Sequence, residues 1–281
     1  LSPFIVGVTI VALGTSFPEL VSSIVAVLKG ATEIVVANAA GSNIANILLV
    51  VGVAALVGRR LVMTKSLIDI DLPLLAISTA IFLGMAWDGE ITFVEAIILL
   101  ATYVIYLLYI VFHKPDEEDH ALKNKKPTFL RPKLTWKEPV FLCLGIAGLI
   151  FGAKYLIDSV IELSEILNIG TGVIALVAVA FGTSLPELIV SVKAAMQGKS
   201  EVALGNILGS NVFNILVVVG VPGLFKSLKL DEQTFAIGLP VLIVATFLFI
   251  LSGISKRFYL WEGAMYLVVY IFFIGKLFNL I

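Results

Sequence analysis

Long apolar runs separated by short polar breaks follow one another along the whole chain. Nine runs are long enough to cross a hydrocarbon core, which takes about 20 helical residues. They lie near residues 1–28, 33–57, 67–87, 92–112, 139–162, 170–196, 201–225, 233–253 and 258–279. Stretches such as VEAIILLATYVIYLLYIVF do not alternate as the strands of a membrane β-barrel do. The pattern predicts an all-α, polytopic transmembrane bundle with nine helices in this chain.

Composition supports a membrane protein and excludes several partners. The 281 residues are 59% hydrophobic and only 14% charged, with a mean hydropathy of +1.08, whereas soluble domains carry about 25% charged residues. The net charge is −1, and the sequence has no concentration of basic residues that would form a surface for nucleic acid. We expect the lipid bilayer as its surroundings, no nucleic-acid partner, and function as a monomer.

The chain contains an internal duplication. Residues 14–52 align with 182–220 at a constant offset of 168 without a gap, and 20 of the 39 positions are identical. The matched pieces are GTSFPEL with GTSLPEL and NAAGSNIANILLVVG with NILGSNVFNILVVVG. With a slip of one residue Glu95 also matches Glu262, so the repeat covers whole sets of helices.

The number of crossings predicts that the two copies are inverted. The chain crosses the membrane five times between the first apolar segment and its match, the sixth, so the copies enter in opposite orientations. We expect a first repeat over 1–113, a linker over 114–138 and a second repeat over 139–281. Residues 139–164 add a helix that the first repeat lacks. We therefore expect the full-length protein to have one further helix before this sequence, and ten helices in all. Helices 2–5 would form the first repeat and helices 6–10 the second.

Basic residues are unequally divided between alternate loops and predict the orientation. One side carries thirteen Lys and Arg residues, and the other carries only Lys29, Lys226, Lys229 and Lys276. The positive-inside rule places the larger set in the cytoplasm. We therefore expect a multi-pass protein of the cell membrane, with the linker 114–138 cytoplasmic and the C-terminus outside.

Each copy of the first signature contains a predicted helix break beside a carboxylate. Pro18 and Pro186 cannot donate a backbone hydrogen bond, so backbone oxygens near Ala12 to Thr15 are expected to lose their partners. In lipid such groups need protein, water or an ion. Glu19 and Glu187 follow the breaks directly and have no Lys or Arg at similar depth. A cation between the two carboxylates would neutralise both.

The second signature supplies further oxygen atoms. Polar side chains recur every four residues and form one stripe on an otherwise apolar helix: Asn38, Ser42 and Asn46, repeated as Asn206, Ser210 and Asn214. Hydroxyl, amide, carbonyl and carboxylate oxygens suit a hard cation, Ca²⁺ or Na⁺, and no paired Cys or His suits a softer metal. Four segments converging near the bilayer midplane describe a transporter site.

Simpler interpretations apply to some of these residues. A single Gly-Thr-Ser-x-Pro stretch could be a kink with close helix packing, but two Pro-Glu breaks at a fixed offset favour an ion site. Glycines 41, 52, 209 and 220 are interpreted as packing positions. The remaining acidic residues near segment ends are expected to be solvated at the interface: Asp69, Asp71, Glu95, Glu162, Glu165 and Glu262.

The motifs GTSFPE, GTSLPE, GSNIANI and GSNVFNI resemble the two alpha-repeats of the cation/calcium exchanger superfamily, most closely its sodium/calcium exchanger branch. The resemblance covers nearly the whole chain. It implies Ca²⁺ between Glu19 and Glu187, with backbone oxygens at Thr15 and Thr183. The flanking sodium sites and the remaining central positions correspond to Ala12, Thr15, Ser16, Glu19, Ser42, Asn46, Ala180, Thr183, Ser184, Glu187, Ser210 and Asn214.

The same resemblance implies a function. Gly-Thr-Ser-x-Pro-Glu in both copies favours Na⁺ coupling, because proton-coupled relatives usually carry Gly-Asn-Ala-type first signatures. Potassium-dependent relatives carry Asp where this chain has Asn214. We therefore expect a secondary antiporter that exchanges Na⁺ for Ca²⁺ by alternating access, electrogenic and K⁺-independent, with no enzyme activity and no cofactor beside the transported ions. An H⁺/Ca²⁺ antiporter is the main alternative, and a channel or an intramembrane hydrolase are more distant ones.

Overall fold

Helices account for most of the structure, a computed structural model that describes residues 11–63, 67–112 and 137–280. The α-helices in these ranges are α1 (Ala12–Thr15), α2 (Phe17–Leu28), α3 (Glu33–Ile44), α4 (Val51–Gly58), α5 (Leu72–Met85), α6 (Phe93–Phe112), α7 (Lys137–Leu167), α8 (Thr171–Ile174), α9 (Ala180–Thr183), α10 (Leu185–Met196), α11 (Ser200–Phe213), α12 (Gly220–Gly223), α13 (Leu239–Ile254) and α14 (Leu260–Leu277). Wider π-helical turns join several of them, at Ala45–Val50, Leu67–Asp71, Ala175–Val179, Asn214–Val218 and Thr234–Gly238, and a 3₁₀ turn covers Ala86–Asp88. Four short strands complete the described elements: β1 (Arg60–Val62), β2 (Glu90–Ile91), β3 (Leu228–Lys229) and β4 (Arg257–Tyr259).

Six helical stretches in the described ranges are long and apolar enough to span a membrane. They are Glu33–Gly58, Phe93–Ile110, Cys143–Leu167, Ser200–Gly223, Thr234–Ile254 and Leu260–Leu277. A seventh candidate, Thr171–Thr183 with Leu185–Met196, is bent by 44°. Two further predicted segments correspond to the shorter apolar helices Phe17–Leu28 and Leu72–Asp88. The chain is therefore an integral membrane protein, and the count of nine helices stays a prediction.

Two of these spans form the centre of the bundle. In Glu33–Gly58 and Ser200–Gly223, 78% and 94% of the most apolar window is buried, compared with 17% in Cys143–Leu167. A helix that is apolar on all sides belongs in a core, whereas the outer helices expose their large side chains, as expected in contact with lipid. Both second signatures, the GSN motifs, lie on the two central spans.

The central helices contact the broken helices of the opposite half of the chain. Helix α3 packs against Ala175–Val179 and α9, and α11 packs against α1. Gly41 permits the first contact, since a Cβ atom there would lie 2.1 Å from the backbone oxygen of Leu176. Close contacts also surround Gly52 and Gly220, which confirms these three glycines as packing positions. The fold thus brings each first signature beside the second signature of the other half.

Two short antiparallel pairings connect the halves of the chain at the helix ends. β1 pairs with β4, placing Leu61 opposite Phe258, and β2 pairs with β3, placing Ile91 opposite Leu228. All four of these side chains are buried. The sequence pattern did not predict the strands, because two or three residues are too few to show a period of two.

Several expectations concern polar residues and connections outside the core. Most of the predicted linker 114–138 lies outside the described residues, so its position stays a prediction. The expected solvation of Asp71 is wrong, because the side chain is 1% exposed, although its neighbour Asp69 is exposed. Lys29 at the end of α2 donates to Asp158 on α7, and this ion pair joins the two helices.

Candidate cation-binding site

The two predicted helix breaks are present and have nearly the same geometry. Between α1 and α2, Ser16 has φ −88° and ψ 6°, and between α9 and α10, Ser184 has φ −82° and ψ 4°. Pro18 and Pro186 lie in the first turn of the helix after each break, where a missing N–H costs least. The same local sequence therefore makes the same break twice.

The prediction that backbone oxygens near the break lose their partners is wrong for Ala12. Its carbonyl accepts a hydrogen bond from the Ser16 N–H at 3.0 Å, and Ala180 accepts one from Ser184 at the same distance. The donor that is lost is that of Pro18, whose partner would have been Gly14. Thr15 Oγ1 also donates to the Ala12 oxygen at 3.3 Å, and Thr183 Oγ1 to the Ala180 oxygen at 3.4 Å. Each carbonyl oxygen therefore already accepts two hydrogen bonds, and an ion bound there would replace the threonine hydroxyl.

The two glutamates are fully buried, and each hydrogen-bonds to the opposite half of the chain. Glu187 accepts from Ser16 Oγ at 2.8 Å and from Ser210 Oγ at 3.3 Å through Oε1. Glu19 accepts from Ser184 Oγ at 3.4 Å, also through Oε1. Both glutamates are 0% exposed. Each lies in the first turn of its helix, where the helix dipole favours a negative charge.

Several buried oxygen atoms of the signature residues lack a hydrogen-bond partner, including the second oxygen of each carboxylate. Among the described residues, Glu19 Oε2 and Glu187 Oε2 have no hydrogen-bond partner, and the same holds for Ser42 Oγ, Asn46 Oδ1 and Asn214 Oδ1. Buried oxygens are normally satisfied, so a concentration of unsatisfied ones requires an explanation. A bound cation would be such a partner.

The two threonines of the first signatures make polar contacts inside the bundle. Thr15 Oγ1 donates to Asn206 Oδ1 at 3.2 Å and lies 3.5 Å from Ser210 Oγ. Both threonines also donate to backbone oxygens of the preceding turn, Thr15 Oγ1 to Ala12 at 3.3 Å and Thr183 Oγ1 to Val179 at 3.0 Å. All twelve residues predicted as ion ligands are buried, with exposures of 8% or less.

Asn38 and its counterpart Asn206 bind neighbouring helices. Asn38 Nδ2 donates to Ser23 Oγ at 3.2 Å, and Asn206 Nδ2 donates to Ser191 Oγ at 3.1 Å. Each bond holds a second-signature helix against the helix that carries the glutamate of the same half. These two members of the polar stripe therefore position the glutamate helices.

Sequence reasoning missed two asparagines that join the central helices. Asn43 Nδ2 donates to the Asn211 backbone oxygen at 3.0 Å, and Asn46 Nδ2 donates to Asn211 Oδ1 at 3.2 Å. The second hydrogen bond orients the Asn46 amide, whose Oδ1 has no hydrogen-bond partner among the described residues. Both missed residues are the Asn of a GSN motif, so their recurrence at the offset of 168 was a usable signal.

No positive side chain balances the two carboxylates within the described ranges. Neither Glu19 nor Glu187 accepts a hydrogen bond from Lys, Arg or His there. The described residues also contain no cluster of three His, Cys, Asp or Glu side chains suited to a metal. The donor set is two carboxylates with hydroxyl, amide and carbonyl oxygens, which is the set that a hard cation prefers.

Fold and site together define a polytopic membrane protein built around a buried, oxygen-rich pair of carboxylates. The sequence model of the family described as "Sodium/calcium exchanger protein" matches residues 1–112 and 137–278. The chain belongs to this family.

Relatives and solved structures agree with this assignment. The sodium/calcium exchanger MaX1 of Methanosarcina acetivorans is 34% identical over 320 aligned residues, covering 99% of this chain and 89% of MaX1. The inner membrane protein YrbG of Escherichia coli strain K12 is 32% identical over 253 residues, covering 89% of this chain and 78% of YrbG. A structure of the sodium-calcium exchanger NCX_Mj soaked with Na⁺ and Ca²⁺ superposes with a TM-score of 0.70 at 29% identity, covering 98% of this chain and 87% of that one. These relatives are membrane proteins and exchangers, and the chain is similarly a transporter and not an enzyme.

Proposed function

We propose that this protein exchanges Na⁺ for Ca²⁺ across the membrane by alternating access. The observation that carries the proposal is the pair Glu19 and Glu187: both are fully buried, and each has one carboxylate oxygen without a partner in the described part of the chain. Two such carboxylates must either take up protons or hold a cation between them, because an uncompensated buried charge costs several kcal/mol. The hydroxyl and amide oxygens of the signatures favour the cation. A divalent ion would neutralise the pair.

The surrounding oxygens support two alternative occupancies of one site. Ca²⁺ would bind Glu19 and Glu187 with the backbone oxygens of Thr15 and Thr183. The Na⁺ ligands would come from a wider set that shares these residues and adds Ala12, Ser16, Ser42, Asn46, Ala180, Ser184, Ser210 and Asn214. Since both ions need the two glutamates, they compete, and the competition couples their transport.

Corresponding contacts in the two halves support an inverted repeat as the device for alternating access. The bonds of Ser16 to Glu187 and of Ser184 to Glu19 correspond at the offset of 168. In our proposal the repeats 1–113 and 139–281 exchange conformations about the fixed site. The linker 114–138 lies in the cytoplasm, the C-terminus lies outside the cell membrane, and the monomer is the working unit.

The charge moved in each cycle and the amide at position 214 bear on electrogenicity and on the role of K⁺. Several Na⁺ per Ca²⁺ would move net charge, so exchange is proposed to be electrogenic. Asn214 supplies an amide where a carboxylate would favour a further cation, and its side chain has no partner among the described residues. We therefore propose exchange that is independent of K⁺. The protein resembles exchangers whose names include sodium and calcium, which supports Na⁺ over H⁺ as the coupling ion.

Ion uptake into proteoliposomes tests the proposal and its alternatives. Purified protein would be reconstituted, and uptake of radiolabelled Ca²⁺ would be measured with an outward Na⁺ gradient, a pH gradient or a K⁺ gradient applied separately. We expect uptake with the Na⁺ gradient alone, and an accelerating effect of an inside-positive potential. Uptake driven by the pH gradient alone would replace Na⁺ by H⁺, and flux without any counter-ion would indicate a channel.

A further inference from the structure

Asp71 is a third buried carboxylate, on the π-helical stretch that precedes α5. Its side chain is 1% exposed, and neither carboxylate oxygen has a hydrogen-bond partner among the described residues. Burial is specific to this position, because Asp69 in the same stretch is exposed. A carboxylate in such a place must be paired, or it must carry a proton.

A tyrosine hydroxyl is the polar group found beside Asp71 in the described part of the chain. Tyr106 of α6 is 3% exposed, and its hydroxyl lies close enough to the Asp71 carboxylate to interact with it. Neither group completes a hydrogen bond of ordinary length and angle in this conformation. Tyr103 stacks on Tyr106 with ring centroids 5.9 Å apart. Helices α5 and α11 also pack against this stretch; α5 has no titratable side chain, and the one charged residue of α11, Glu201, lies in its first turn.

The pair of Asp71 and Tyr106 is confined to one half of the chain. With the slip of one residue, the sequence DLPLL at 71–75 aligns with GLPVL at 238–242, so the counterpart of Asp71 is Gly238. Tyr106 corresponds to Phe273 at the same offset. A Cβ atom on Gly238 would lie 3.2 Å from the Leu176 side chain, which leaves little room for a larger side chain. The second half therefore has no equivalent acid–phenol pair.

We propose that Asp71 and Tyr106 form a proton-binding site that makes exchange dependent on pH. In the described conformation Asp71 carries the proton, since no cation compensates its charge within the described residues. Loss of the proton places an unpaired charge inside the bundle and disfavours this conformation. Because the site exists in one half only, protonation stabilises one conformation of the alternating-access cycle over the other. The effect on transport rests on the exchange function proposed above.

The pH dependence of Na⁺-driven Ca²⁺ uptake tests the site in proteoliposomes. We expect the wild-type rate to fall at alkaline pH by up to about tenfold per pH unit, as the protonated fraction does. Asp71→Asn, which keeps the shape and stays neutral, should remove this decline. Tyr106→Phe removes a donor that would stabilise the charged form, so the decline should move to higher pH. Asp69→Asn is the matched control and should retain the wild-type profile.

Infrared difference spectra between neutral and alkaline pH give a readout that does not depend on transport. At saturating Ca²⁺, the carbonyl stretch of a protonated carboxyl group should disappear from the wild-type spectrum as the pH rises. The difference spectrum of Asp71→Asn should not contain this band. The same alkaline decline in Asp71→Asn, or the same infrared band, would overturn the proposal. If the infrared band behaves as expected while Na⁺ fails to drive uptake, the proton site stands and the exchange proposal fails.

Discussion

Gly41→Ala should disrupt the contact that places the two signature helices side by side. The added Cβ atom would lie 2.1 Å from the Leu176 backbone oxygen and 2.8 Å from Ala180 Cβ. An ordinary carbon–oxygen contact is about 3.3 Å, so α3 and the Ala175–Val179 stretch must separate by about 1.2 Å. Overpacking of this kind costs about 1–3 kcal/mol. A shift of that size also displaces Ala180, a proposed Na⁺ ligand.

Thermal unfolding and Ca²⁺ uptake of purified Gly41→Ala measure the two consequences separately. We expect a lower melting temperature and, in protein that remains folded, a higher Na⁺ concentration for half-maximal exchange. Gly148→Ala on α7 is the matched control, since a Cβ atom at Gly148 would meet nothing within 4 Å and the residue lies outside the signatures. Wild-type stability and Na⁺ dependence in Gly41→Ala would refute the reasoning.

Four further variants test individual contacts. In ion-free buffer Ser16→Ala should lower the free energy of unfolding by about 1.5–3 kcal/mol, because it removes a 2.8 Å hydrogen bond to the Glu187 carboxylate. Ser184→Ala should lower it less, because the hydrogen bond of Ser184 to Glu19 is 3.4 Å long. Equal unfolding curves for both variants would contradict this ranking. Asn211→Ala should cost about 1–3 kcal/mol and weaken the Na⁺ dependence of exchange, since the buried Asn46 amide loses its acceptor, Asn211 Oδ1. An unchanged Na⁺ dependence would argue against an orienting role. Lys29→Met should change stability by less than about 1 kcal/mol, as its pair with Asp158 is partly exposed; a large loss in thermal unfolding would show that this pair holds the helices together.

The helix breaks were predictable because their cause is local. Proline has no N–H, and the same motif occurs twice, so the positions of Pro18 and Pro186 follow from the sequence. The polar stripe was only partly predictable. Residues eight apart on an α-helix differ in direction by about 80°, so Asn38 and Asn46 cannot face the same point. Asn38 consequently reaches the neighbouring helix, and Asn46 faces the centre.

Other features depend on neighbours that a single sequence does not reveal. Asp71 lies near the end of an apolar segment, a position that predicts solvation, but the packing of α5 and α11 covers it. The π-helical turns at the signatures have the same composition as the helices around them, so no residue pattern marks them. The contact between Asn43 and Asn211 required knowledge of which helices meet.

Equilibrium binding of radiolabelled Ca²⁺ to purified protein tests the central claim most directly, since it asks whether Glu19 and Glu187 hold one ion together. We predict a single saturable Ca²⁺ site in the wild type, displaced by Na⁺ with a Hill coefficient above one. Glu19→Gln and Glu187→Gln should each abolish saturable binding while retaining a folded protein by size-exclusion chromatography. Ca²⁺ binding that persists in either folded variant, or that Na⁺ does not displace, would contradict the account.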